Sequence, residues 1–212
     1  IFMSEKKMDF KELAEKRRSV NFFDENKKLN DSKLKDIINL AVLAPSSMNS
    51  QPWKIIAVKS QEKRKELYEK ACEQKKVLKA PVTLIILGDK EGYKRDNDIW
   101  DEKIKLGRLN EEKIDKIISS SDKNLYNTKE KKVAYAVRNS SLLAMSIMYS
   151  AKYFGVDSHP MIGFDPKKTR ELYNIDSRYE VTMMISLGYF DNEHELYPRE
   201  TRFRYDKIVE EY

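Results

Sequence analysis

Hydrophobic residues recur along this chain with two periods. Leu34, Ile37, Ile38, Ala41 and Val42 are spaced three and four apart, which places them on one face of a helix. Asn30 or Asp31 is suited to cap that helix. Pro45 bars its continuation, because the residue before a proline avoids helical backbone. Residues 53–58 read as a strand, and 62–79 as one helix with Leu67, Ala71 and Leu78 turned inward. Residues 82–87 are continuously apolar between Pro81 and Gly88, the pattern of a strand covered on both faces. A third strand is predicted over 180–187, stopping at Gly188.

The longest periodic segment covers 129–154. Val133, Val137, Ser140, Ala144, Ile147 and Ala151 share its apolar face, and Gly155 supplies a left-handed stop. So many small residues predict a neighbour packed very closely, and a symmetric partner is one solution. Residues 10–15 form a short helix, and Asp165-Pro166 reads as the cap and first residue of another. Residues 93–118 are polar with helical spacing, two helices interrupted near 107–110, and 159–164 read as a loop or short extended piece. The tail, 191–212, has little regular pattern yet holds Tyr197, Phe203, Tyr205, Ile208 and Val209. That density of large apolar groups predicts packing, with a second subunit as one candidate. Three strands among helix-rich stretches fit an α+β fold with helices packed on a sheet.

The length of 212 residues suits one domain, assigned to 10–212, with 1–9 as an N-terminal extension. Ile1-Phe2, ahead of Met3, is read as an appended pair outside the fold. Lys plus Arg number 41 against 35 Asp plus Glu, a net charge of +6. The signs alternate at helical spacing over 62–79 and 93–116, which describes solvated helix surface rather than the one-sided basic stripe of a nucleic-acid binder. With no apolar run near the ~20 residues that span a bilayer, no membrane partner is expected, and a cytoplasmic setting is. Cys72 is the one cysteine and the two histidines, His159 and His194, are far apart, so a disulfide framework or zinc site is not expected. No GxGxxG follows the first strand, and there is no GxSxG or GxxxxGK[ST].

Four segments remain as candidate chemistry. Arg17-Arg18-Ser19 offers two guanidinium groups beside a hydroxyl, a suitable phosphate clamp, or simply a basic helix end. Residues 44–53, APSSMNSQPW, form a polar loop between two prolines with no titratable group. It suits a flat heteroaromatic better than acid–base work. In 159–164, HPMIGF, the glycine permits close backbone approach to a ligand, or serves a rigid connection. Arg202 and Arg204 point to one side if extended, either completing an anion site with Arg17 and Arg18 or lying in a solvated tail.

In this order, RRSVNFF, APSSMNSQPW running into KIIAV, AP before VTLIIL, YFGVDSHPMIGFD and SLGYF…RFRYDKIV resemble the landmarks of the nitroreductase family of flavin mononucleotide (FMN) enzymes, across nearly the whole chain from Phe10. The resemblance implies a mainly antiparallel sheet flanked by helices in an intertwined homodimer, with FMN at the subunit interface and a tail that embraces the partner. It implies that Arg17, Arg18 and Ser19 hold the phosphate and ribityl chain, and that Arg202 and Arg204 reach the phosphate. Pro45, Ser46, Ser47 and Asn49 would come from the other subunit to line the isoalloxazine, with Gln51 in the same landmark. Pro160, Met161, Ile162 and Gly163 would set backbone against the ring, and Gln74 would meet the pyrimidine edge. Asn21 and Ile162 depart from the family pattern, which often has Arg or Lys at the first position and Glu, in some members, at the second. A cation near the pyrimidine end would stabilise anionic reduced flavin. The implied activity is hydride transfer from NADH or NADPH, by way of FMN, to a small acceptor such as a nitroaromatic or quinone in ping-pong fashion. Tyr93, Trp100 and Tyr126 would shape the acceptor site, or pack helices. Alternatives are another flavin reaction (dehalogenation, flavin fragmentation or azoline oxidation) or a non-catalytic basic binding module.

Overall fold

The continuously apolar segment becomes the centre of the sheet. In a computed structural model describing residues 8–212, β1 (Trp53–Val58), β2 (Val82–Asp89), β3 (Asp157–Met161) and β4 (Tyr179–Gly188) form one antiparallel sheet in the order β1-β2-β4-β3. The pair Ile1-Phe2 lies outside the described residues. All eight residues of β2 are buried, because both faces of the sheet are covered. Leu84 and Ile86 face a core made with Leu34, Ile37 and Ala41 of α2 (Asp31–Ala41) and Leu143, Ala144 and Ile147 of α7 (Lys129–Tyr153). Ile85 and Leu87 face the other core, with Leu67, Val77, Met161 and Met184. A bulge opposite Ile86 and Leu87 adds Thr182 to β4.

The caps behave as their residue types dictate. Asn30 accepts the Lys33 amide at 2.8 Å, and Asp165 accepts the amides of Lys167 and Lys168 at the start of α8 (Pro166–Tyr173). Asp9 caps α1 (Phe10–Lys16). At the end of α7, Gly155 has φ of 71°, open to glycine without penalty. The small-residue face of α7 does meet a close neighbour, and that neighbour is the chain's own sheet. A Cβ on Gly88 would lie 2.5 Å from the Ala136 carbonyl oxygen and 2.9 Å from Ser140 Oγ. That face is therefore spent inside the chain and does not argue for a second copy. Val133 and Val137 are only half-buried, and Tyr135, Ala136 and Asn139 are buried instead.

Two expectations need correction. The helix expected over 62–79 is two: α3 (Gln61–Lys70) and α4 (Lys75–Lys79), with Val77 rather than Leu78 fully buried. No glycine or proline marks the break. It is held by tertiary bonds, with the Ala71 carbonyl accepting from the Asp165 amide at 2.8 Å. The segment 159–164, read as a loop or short extended piece, begins as the extended strand β3, making four strands rather than three. Pro160 is tolerated there because β3 is an edge strand. The tail, expected to pack with a second subunit as one candidate, meets its own chain through Tyr197 and Arg199. Phe203, Tyr205, Ile208 and Val209 stay exposed, with one turn of helix, α9 (Tyr205–Ile208), among them. The polar stretch does hold two helices, α5 (Ile99–Lys105) and α6 (Glu111–Ser120), parted at Gly107.

Candidate functional site

The outer side of edge strand β3 is closed by the segment after α1. Ser19 bridges Ser158, the Val20 amide donates to the Ser158 carbonyl at 3.1 Å, and His159 Nδ1 donates back to the Val20 carbonyl at 2.7 Å. A carbonyl only accepts, so this bond fixes the neutral ring with its proton on Nδ1. Burial, with Lys76 adding to it, pushes the His159 pKa down to about 4, against the opposing pull of the Val20 bond. Past β3, the chain turns at Ile162 and Gly163, and Gln74 Nε2 donates to the Gly163 carbonyl at 3.0 Å. Ser19, Gln74 and the Pro160–Gly163 turn therefore adjoin the same strand end. Asn21 and Gln74 line one cavity of about 560 Å³. Lys76 lines it too, and among the described residues no carboxylate pairs with it. Sequence reasoning did not single out Lys76; its one local signal was its place two residues after Gln74. Met161 points into the core, so only its backbone faces outward, whereas the Ile162 side chain is 79% exposed.

At the near end of the same segment, guanidinium groups converge. Arg17 is half-buried, and its pKa is lowered first by burial and then by the neighbouring charges of Arg199, Arg202 and Arg18, with Tyr149 acting in the opposite sense. Arg18 donates to the Tyr197 carbonyl at 2.5 Å, Arg199 to the carbonyls of Glu15 and Arg17, and Arg202 to those of Glu200 and Thr201. The Arg18 and Arg199 bonds hold the tail against the end of α1, the Arg202 bonds stay within the tail, and none of them neutralises charge. Among the described residues none of these four arginines, nor Arg204, makes an ion pair with a carboxylate, while Arg95, Arg170 and Arg178 all do. Arg202 and Arg204 both line a cleft of about 920 Å³ beside α1. Like charges held together without a counter-ion fit a polyanionic group such as a phosphate ester, which guanidinium matches in a bidentate way. The donor set thus fits the FMN phosphate.

The loop at 45–51 is elsewhere. It leads into β1, the opposite edge of the sheet from β3. Its hydrogen bonds go to Asn139, Tyr126, Tyr135, Asn97 and Lys103, and to none of the arginine group. Pro45, Asn49 and Gln51 are exposed and Ser46 and Ser47 half-buried, so the loop is presented outward. Tyr93 and Trp100 are fully buried: they pack the excursion between β2 and α7, and line no acceptor site in this chain. The excursion is tied to the sheet by Arg178, which donates to Asp89 at 2.7 Å and also pairs with Asp96. Near the loop, Phe10, Leu13, Leu40, Leu43, Leu142 and Tyr149 line an apolar surface groove.

A family model described as the nitroreductase family matches residues 14–189. The Bacillus subtilis (strain 168) protein MhqN, named among the NAD(P)H nitroreductases, is 36% identical over 181 residues, covering 85% of this chain and 88% of its own. The solved structure of the Bacillus subtilis nitroreductase-type protein ydfN has a TM-score of 0.86 at 34% identity, over 95% of this chain and 97% of that one. A nitroreductase-type protein of Exiguobacterium sibiricum, solved in complex with FMN, has a TM-score of 0.83 at 25% identity, over 98% and 99% of the two chains. With the four-stranded antiparallel sheet, its flanking helices and the unneutralised arginine cluster, these similarities agree: the chain belongs to the nitroreductase family, and it is an oxidoreductase.

Proposed function

We propose that this chain binds FMN and uses it to carry hydride from NADH or NADPH to a small acceptor, such as a nitroaromatic or a quinone, donor and acceptor visiting in turn. The observation that carries this reading is the convergence of Arg17, Arg18, Arg199 and Arg202 without a counter-charge. It runs directly into Ser19, which bridges β3 at Ser158, and β3 in turn leads to the Pro160–Gly163 turn. Arg17, Arg18, Arg202 and Arg204 would bind the phosphate, with Ser19 beside them. Asn21 and Gln74 would meet the ring's polar edge, and the backbone of Pro160, Met161, Ile162 and Gly163 its side. When bound, the flavin supplies reversible hydride chemistry that no side chain here offers. The protein's part is binding, orientation and charge: Lys76 stands where it can offset negative charge on the ring's edge, the role Asn21 cannot fill. No side chain is assigned as a covalent nucleophile or general base. The exposed Ile162 gives the acceptor side an apolar wall.

The site is completed, in this reading, by a second copy. Residues 45–51 lie on the far edge of the sheet and face outward, so Pro45, Ser46, Ser47, Asn49 and Gln51 would serve the partner's flavin. The apolar groove at Leu40 and Leu43, and the exposed tail aromatics, are the surfaces a partner would cover. Residues 10–212 act as one domain whose tail wraps that partner.

Purified protein should show flavin absorbance bleached anaerobically by a nicotinamide, and stopped-flow mixing with NADH and NADPH in turn reports the donor. Arg17→Ala and Arg202→Ala should each weaken FMN retention roughly 10- to 100-fold, the worth of a charge-assisted hydrogen bond. A colourless protein whose affinities collapse with salt would instead mark a basic binding module.

A further inference from the structure

Loop 45–51 adopts a shape its residues do not favour. Met48, Asn49 and Gln51 have φ of 56°, 52° and 46°, and none is glycine. Left-handed backbone is disfavoured for methionine and glutamine, though asparagine tolerates it better, and three instances in four positions persist only where the surroundings impose them.

The imposing bonds can be followed in order. Ser50 Oγ donates its one proton to the Ser47 carbonyl at 2.7 Å. The contact between Ser50 Oγ and Tyr135 OH, at 2.6 Å, must therefore run the other way, with the phenol donating. The result is a directed chain from Tyr135 through Ser50 to the Ser47 carbonyl, each bond polarising the next. One turn along α7, Asn139 Oδ1 accepts the Ser47 amide at 2.7 Å, while its Nδ2 donates to the Tyr135 carbonyl at 2.7 Å. The Ser47 amide is thus fixed by α7 directly, and its carbonyl by Ser50, whose hydroxyl is in turn held by Tyr135. Tyr135 and Ser50 are buried, at 3% and 1% exposure, so water does not compete for these bonds. The phenol ring packs in a triangle with Tyr126 and Tyr93, its centroid 4.5 and 5.5 Å from theirs.

We infer that Tyr135, acting through Ser50, is a positioning residue that holds the 46–51 loop in its left-handed shape and so presents Ser46, Ser47 and Asn49 to the flavin of a partner subunit. This rests on the flavoenzyme reading. Tyr135 touches no ligand.

The test is a double-mutant cycle on the holoenzyme with Tyr135→Phe, Ser50→Ala and the pair. FMN release on dilution is followed by recovered flavin fluorescence, and the flavin midpoint potential is measured beside it. Phenylalanine keeps the ring packing, so a merely structural role predicts no change in FMN affinity. Positioning predicts that each single variant releases FMN with a dissociation constant about five- to tenfold higher, the worth of one hydrogen bond. It also predicts that the double variant is no worse than the poorer single, because both substitutions cut the same chain. If Tyr135→Phe fails to fold, Ser50→Ala alone must still show the rise. Unchanged affinity in the single variants, or costs that multiply in the double, would overturn the inference while leaving the flavoenzyme intact. A wild-type protein that takes up no FMN would instead remove the flavoenzyme reading, and this inference with it.

Discussion

His159 keeps a neutral ring because burial, with the Lys76 charge nearby, outweighs the Val20 carbonyl, which favours the protonated form. Its folded pKa of about 4 lies below the ordinary value of 6.5. Between those values the unfolded chain binds a proton that the folded chain refuses, so stability is lost as pH falls through that window. By pH 5 this should cost about 2 kcal/mol relative to pH 7. Urea denaturation of the wild type and His159→Gln at both pH values checks it. The variant should lose less on acidification, and equal losses would refute the assignment. The residue scale also shows what sequence could and could not announce. The arginines were legible as cations, because charge is a property of residue type, but a phosphate clamp and a plain basic helix end read alike until the tail is placed beside α1. Lys76 was not legible as a site residue, because only folding places it on a cavity wall with Asn21 and Gln74. Tyr93 and Trp100 looked like site aromatics for the same reason in reverse: burial is decided by neighbours far along the chain.

Among the elements, β2 and α7 are packed to the limit. At Gly88 the strand backbone lies against Ala136 and Ser140 with no room for a methyl group. Gly88→Ala must push α7 off the sheet, and overpacking of this kind should cost about 3 kcal/mol, read as a lowered denaturation midpoint. A midpoint equal to the wild type would show that the two elements are not in contact. The helix-rich 129–154 segment, the central strand and the capped helices were all legible, since periodicity and capping act within a few residues. The break between α3 and α4 was not. It answers to Asp165, ninety-odd positions away, and to the need to bring Gln74 to Gly163. Strand β3 was only half legible, as a loop or short extended piece, because Pro160 and three polar residues mask any alternation, and its pairing with β4 supplies what its own sequence lacks.

For the whole molecule, the surfaces left over are the informative ones. Leu43 and Phe10 are 77% and 71% exposed on a groove also lined by Leu40, Leu142 and Tyr149. Sedimentation should find a dimer at micromolar concentration, and Leu43→Glu should raise its dissociation constant roughly tenfold or more, because a carboxylate would be buried without a partner. A wild-type monomer at that concentration would end the intertwined arrangement, and with it the assignment of the 45–51 loop to a partner's site.

The chain's own order of residues determined which segments coil and which extend, where they are capped, and that cationic groups stand near both termini. Those are consequences of side-chain type and of spacing within a few residues. The tertiary structure alone decided that the tail returns to α1, that β3 joins the sheet edge beside Ser19, and that the serine-rich loop stands at the opposite edge. These are long-range pairings. Their energy comes from burial and hydrogen bonds shared between distant segments, and no local pattern encodes which distant segment that is.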